Sequence, residues 1–173
     1  MSKNVIITGT SRGIGLELIK LFSNSGFNVL SLSRNKNIAE KLNLNNTSCL
    51  SFDITKEEDH LLVNKFISNN WNSVDILINN AGLLINKNFQ DTTLKDFNDV
   101  YNTNVFGVAR LIQICLPFMK ENSQVINISS IGGVQGSVKF PGLSAYSSSK
   151  GALITLTEML AEEYKELKIN FNV

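Results

Sequence analysis

Short apolar runs alternate along the chain with longer stretches in which apolar residues recur at helical spacing. Val5–Thr8, Asn28–Ser33, Cys49–Phe52, Asp75–Ile78 and Gln124–Ile128 are rich in β-branched and apolar residues and predict strands. Ile14–Ser25, Glu57–Asn69, Leu94–Lys120 and Ala145–Leu167 carry the period of helices. Strands separated by helices pair in parallel through right-handed crossovers, so the expected class is α/β, a doubly wound parallel sheet with helices on both faces. The last residues, Lys168–Val173, resemble a sixth strand at its start. A sheet truncated inside a buried strand is physically odd, and it predicts a natural protein that continues further or a shortened reading frame. The whole span 1–173 is expected to be one domain, incomplete at its C-terminus.

Two of the helices are apolar nearly all round. Val105–Met119 holds one charge, Arg110, and Ala145–Leu160 holds only Lys150 and Glu158. Such helices need cover on two sides, by their own sheet and by something else. The expected second cover is another copy of the chain, giving a homodimer or homotetramer through the helices around 94–120 and 145–167.

Composition narrows the partners. Sixteen Lys and Arg against fifteen Asp and Glu give a net charge of +1, which provides no field to hold nucleic acid or an anionic membrane. Val105–Met119, the longest apolar stretch, is interrupted by Arg110 and Pro117 and falls short of the roughly 20 residues of a membrane span. The start, MSKNVIITG, has no signal-peptide pattern, so a cytoplasmic location is expected. Cys49 and Cys115 form no CxxC pair and read as reduced, structural thiols; no metal site is expected.

The first strand runs into Gly9-Thr-Ser11-Arg12-Gly13-Ile14-Gly15 and then into an amphipathic helix. That context makes a glycine pattern an anion site. Gly9 allows the tight exit from the strand, Gly13 lets backbone approach a pyrophosphate, and Gly15 permits close helix packing. The helix N-terminus offers unpaired N–H groups, as in Rossmann-like folds. An acidic residue at the end of the second strand would bind a ribose 2′-hydroxyl. This chain has Ser33 and Arg34 there instead, and Arg34 with Arg12 is suited to clamp a 2′-phosphate, which favours NADP over NAD.

Tyr146 and Lys150 are four residues apart at a helix start, on one face. A tyrosine hydroxyl is a poor proton carrier at neutral pH, and an adjacent ammonium favours its phenolate form. Val125–Ile128 delivers Ser129 and Ser130 to the C-terminal edge of the sheet, where ligands bind in open α/β folds. A nucleophilic serine would need a positioned base. The only histidine, His60, lies in a polar-faced helix and is expected at the surface, so a serine hydrolase is not the expected class.

Taken together, these motifs resemble the short-chain dehydrogenase/reductase family over essentially the whole chain: Thr8-Gly9-x-x-x-Gly13-Ile14-Gly15, Asp53-Ile54, Asn79-Asn80-Ala81-Gly82, Asn104 with Gly107, Ser130, and Tyr146-x-x-x-Lys150. The resemblance implies that Asp53 and Ile54 lie beside an adenine, that Asn80, Ala81 and Gly82 run along the cofactor, and that Asn104 holds a proton-relay water. It further implies Ser130 as orienter of a substrate carbonyl and Tyr146 as general acid/base. Lys150 would activate Tyr146 and hold the nicotinamide ribose. Ser11, Arg12, Ile14, Ser33 and Arg34 complete the cofactor-binding set with Gly9, Gly13 and Gly15, and Ser33-Arg34 resembles the NADP-preferring branch.

The implied activity is an NADP-dependent interconversion of a small carbonyl and an alcohol, Tyr146 carrying the proton. The alternative is a dinucleotide-binding module without turnover, for want of the family's C-terminal segment that covers the substrate. The stretch from Ser130 to Tyr146, with Lys139-Phe140-Pro141-Gly142, is longer than in many relatives and predicts an unusual substrate-side loop.

Overall fold

The computed structural model describes residues 2–173; Met1, within the expected domain span, lies outside the described residues. Six parallel strands form a sheet in the order β3-β2-β1-β4-β5-β6. They are β1 Asn4–Thr8, β2 Asn28–Ser33, β3 Thr47–Ser51, β4 Ile76–Asn79, β5 Gln124–Asn127 and β6 Asn170–Asn172. The expected sixth strand therefore forms, pairing Val125 with Phe171. β1 lies between β2 and β4, which explains its unbroken apolar run, since every one of its residues is buried. Ile6 points into the layer with Val63, Ile67 and Leu111, while Val5 and Ile7 join Ile19, Val29 and Ile78 on the other face.

Helix α1 spans Gly13–Asn24 and buries Ile19 against the sheet. It stops by a Schellman closure: Gly26 at φ +81° donates to the Ser23 carbonyl, and Phe27 donates to that of Phe22. The rings of Phe22 and Phe27 then meet edge-on at 5.0 Å. A short α2, Asn37–Glu40, follows β2. Helix α3, Glu57–Asn70, has three acids in its first turn, which suits the positive end of its dipole.

His60 corrects the sequence reading, because it is 2% exposed and not at the surface. It sits three and seven residues before Val63 and Ile67, on the stripe that α3 buries. Its ring packs edge-on against Phe52.

The stretch expected as one helix, 94–120, is divided. Helix α4 runs Leu94–Tyr101 behind a Thr93/Asp96 capping box, Asn102–Phe106 widens to a π-helical turn, and α5 runs Gly107–Cys115. A 3-10 turn, Leu116–Phe118, then accommodates Pro117. Helix α6 spans Ser144–Glu163, shorter than the expected 145–167; the rest forms a 3-10 turn that Lys168 closes in the left-handed region.

Cys115 is buried and Cys49 half-buried, both unpaired, and burial pushes both thiols up. Among the described residues no helix is long and apolar enough to cross a membrane, and no cluster of His, Cys, Asp or Glu is suited to a metal ion.

Candidate active site

The crossover from β3 to β4 returns past β1, so the loops after β1 and β4 part at the carboxyl edge, where doubly wound sheets bind ligands. Gly9 leaves β1 at φ +73°, and a Cβ there would stand 2.8 Å from the Ala81 α-carbon. Gly15 is tighter still, its missing Cβ 2.3 Å from the Gly9 carbonyl oxygen. Glycine at both positions lets the loop fold down between α1 and the β4 loop. Gly13, at φ +57°, has no atom within 4 Å of a Cβ position, so its backbone faces open space at the helix start. Asn80 joins the two loops by donating from Nδ2 to the Thr8 carbonyl at 3.0 Å, while the N–H groups of Asn80 and Ala81 donate to Thr8 Oγ1.

Above this junction lies a cleft of about 510 Å³. Of the residues expected at the cofactor, Gly9, Ser11, Arg12, Gly13, Ile14, Ser33, Arg34, Asp53, Ile54, Asn80, Ala81 and Gly82 line it. Gly15, Tyr146 and Lys150 do not; Gly15 packs beneath the loop. Leu32, Asn35, Phe52, Leu83 and Thr103 also line the cleft and were not singled out from sequence. Each is a chain neighbour of a chosen residue or motif, which is the one signal that marked them. Burial opposes ionisation of Asp53, but hydrogen bonds from Thr55 N and Oγ1, with Arg34 and Lys56 nearby, hold its carboxyl below the usual range.

The second half of the site is held by buried polar ties. Leu83 N donates to Asn104 Oδ1 at 2.8 Å, and Asn104 Nδ2 donates to the Leu83 carbonyl and to Ser149 Oγ, both at 2.9 Å. Ser149 Oγ donates in turn to the Tyr146 carbonyl. The π-helical turn presents Asn104 to both the β4 loop and α6, a use of such turns common at functional sites. Sequence reading did not single out Ser149.

Lys150 is 4% exposed, donates to the Ile128 carbonyl at 2.7 Å, and sits 5.9 Å from the Tyr146 ring centre. Burial pushes it down to about 8. A Cβ on Gly82 would meet Asn104 Oδ1 at 3.6 Å and Lys150 Nζ at 3.7 Å, so these three expected residues converge.

Ser129 Oγ donates to the Lys150 carbonyl, and Gly133 presses on the backbone of Lys150 and Gly151. Ser130 caps the following 3-10 turn by accepting from Gly132 N and lines a second cleft of about 590 Å³ with Ile131, Val134, Ile154, Thr155 and Val173. The loop beyond is braced by Lys139, whose ammonium donates to the carbonyls of Gly132 and Val134. At its far end Lys87 N donates to the Gly142 carbonyl.

A parallel sheet in this order, with a glycine loop at its switch point, defines a Rossmann-like nucleotide-binding fold. The family model described as short chain dehydrogenase matches residues 3–173, and the chain belongs to that family. It is 32% identical over 166 residues to a probable short-chain type dehydrogenase/reductase, VdlC, of Helicobacter pylori, covering 95% of this chain and 60% of that protein.

Among solved structures it is similar to RhlG of Pseudomonas aeruginosa in an NADP active-site complex, with TM-score 0.89, 27% identity, and coverage of 99% of this chain and 70% of that one. It is similar also to a 4-hydroxyisoleucine dehydrogenase complexed with NADH and succinate, with TM-score 0.84, 28% identity, and coverage of 97% and 76%. The chain spans about 60% of the length of several of the relatives it matches.

Proposed function

We propose that this chain is the cofactor-binding and catalytic part of an NADP-dependent oxidoreductase that interconverts a carbonyl and an alcohol. The observation that carries the reading is the meeting of two structures: the glycine-lined cleft, and the Gly82–Asn104–Lys150 cluster with Tyr146 at its end. The residues present fit a dinucleotide. Gly13 and the start of α1 offer open backbone to a pyrophosphate, Asp53 and Ile54 form a wall for the adenine, and Arg12 and Arg34 line the cleft where no carboxylate ends β2. The neighbours solved with NADP and with NADH support a nicotinamide cofactor, and the two arginines favour the phosphorylated form.

Hydride is supplied by the nicotinamide cofactor when it is bound. Ser130 orients the carbonyl oxygen at the edge of β5, and Tyr146 gives that oxygen its proton in the reducing direction. Lys150 as an ammonium favours the phenolate that results, and is held in place by the Ile128 carbonyl. Asn104 keeps α6 in register with the β4 loop and is the residue proposed to hold a relay water. Exposed apolar side chains on the helices, Leu94, Phe106 and Met159, support self-association there.

A dinucleotide-binding module without turnover is the second reading, favoured by the placement of Tyr146 and Lys150 outside the lining of the glycine cleft. Following NADPH oxidation against a panel of aldehydes and ketones separates the two, alongside NADPH titration. Turnover is the expected outcome; tight NADPH binding without oxidation of any carbonyl sample selects the module, and no NADPH binding overturns both.

A further inference from the structure

One wall of the glycine-lined cleft is the segment Phe52–Ile54, just beyond the end of β3. Its only ladder bond is from Phe52 N to the Ser33 carbonyl. The rest is fastened to the first turns of α3. Asp59 Oδ2 accepts from Asp53 N at 2.7 Å, and His60 Nε2 lies 2.9 Å from the Ile54 carbonyl oxygen. A carbonyl only accepts, so Nε2 carries the proton and Nδ1 of the neutral ring is a bare acceptor. On the far side of the same carbonyl lies Gly107 of α5, where a Cβ would stand 2.3 Å from the Ile54 oxygen. The peptide is thus gripped from two helices.

His60 is an expensive residue for this position. Nδ1 is buried without a partner, and α3 fills the next two places on the same stripe with Val63 and Ile67. An apolar side chain would pack there without the orphaned acceptor. What imidazole adds, besides its edge contact with Phe52 at 5.1 Å, is the donor to Ile54.

We propose that His60 is a positioning residue for the cofactor cleft: through the Ile54 carbonyl it holds the Phe52–Ile54 wall in the shape that receives the adenine end of a dinucleotide, without touching the ligand. The inference rests on the reading of this cleft as a dinucleotide site. The charged groups facing the ring are Glu57 and Asp59 of α3 and Arg110 of α5, and burial keeps the imidazole neutral below its ordinary range.

The test titrates NADPH, adenosine 2′,5′-bisphosphate and reduced nicotinamide mononucleotide against wild type, His60→Leu and His60→Gln, well below each unfolding midpoint. His60→Leu should weaken NADPH and the bisphosphate by the same factor, about tenfold, and leave the mononucleotide unchanged. His60→Gln, which keeps an N–H donor, should stay within about threefold of wild type. Equal weakening of all three probes, or of none, overturns the inference. If His60→Leu does not fold, His60→Phe decides, since it keeps a ring against Phe52 and lacks the donor: it should weaken the bisphosphate and leave the mononucleotide unchanged, and equal or no weakening overturns the inference. Wild type that binds neither adenine probe overturns the cofactor reading and this inference with it.

Discussion

The two halves of the site are built by different means. Around β1 and α1 the cleft is made of backbone: Gly9, Gly13 and Gly15 set its shape within seven residues. Around β4, β5 and α6 the site is made of side chains from distant parts of the chain. Asn79 donates to Asn127 and Asn127 to Thr157, Asn104 joins Leu83 to Ser149, and Lys150 reaches back to Ile128. A backbone cradle takes its shape from a few contiguous residues. A buried polar network fixes one arrangement, since each broken tie leaves a desolvated group. Binding and chemistry should therefore be separable by mutation.

The strongest test of that separation is Tyr146→Phe. Carbonyl reduction should fall by about 10²- to 10⁴-fold. NADPH affinity should stay within about threefold, because Tyr146 does not line the cleft. A steady-state assay beside a fluorescence titration checks this, and a comparable loss of affinity would join the two halves after all.

Gly15→Ala attacks the backbone half. Its Cβ would meet the Gly9 carbonyl oxygen at 2.3 Å, so the loop must open, and a loss of about 1–3 kcal/mol in unfolding free energy is expected along with weaker NADPH binding. Gly13→Ala meets no atom and should cost only about 1 kcal/mol, from its positive φ. Denaturant unfolding of the pair measures the contrast, and equal losses would mean that packing under the loop is not what Gly15 serves.

Smaller and more selective is Arg34→Asp, which should reduce or reverse the preference for NADPH over NADH by about tenfold or more, leaving stability nearly untouched. Equal NADPH and NADH affinities in wild type would remove the arginine clamp from the picture.

How much of this was legible beforehand follows the same division. The glycine loop could be read because its meaning is local: strand, turn and helix start are contiguous, and the φ requirements belong to single residues. The alternation of strands and helices yielded the parallel sheet for the same reason, as periodicity and crossover handedness need no knowledge of partners. His60 was misjudged because α3 has a weak apolar stripe, interrupted by a histidine, and only the packing of Phe52 against it reveals that the ring faces inward. The single helix expected over 94–120 failed at Asn102–Phe106. The amide of Asn104 meets both groups of Leu83, and Gly107 meets Ile54, neither of which is near in sequence.

By itself, then, the sequence determined the class of sheet, the place and backbone shape of the glycine loop, and most of the residues that line the cleft above it. Those depend on backbone preferences and short spacings, which a linear chain carries in full. Which groups touch was decided only by the tertiary structure: that Lys150 is desolvated against Ile128, that Ser149 joins Asn104 to α6, and that a buried His60 lies against the Ile54 carbonyl. Those contacts join residues 3 to 45 positions apart, and their strength comes from exclusion of water that exists only once both core layers have closed.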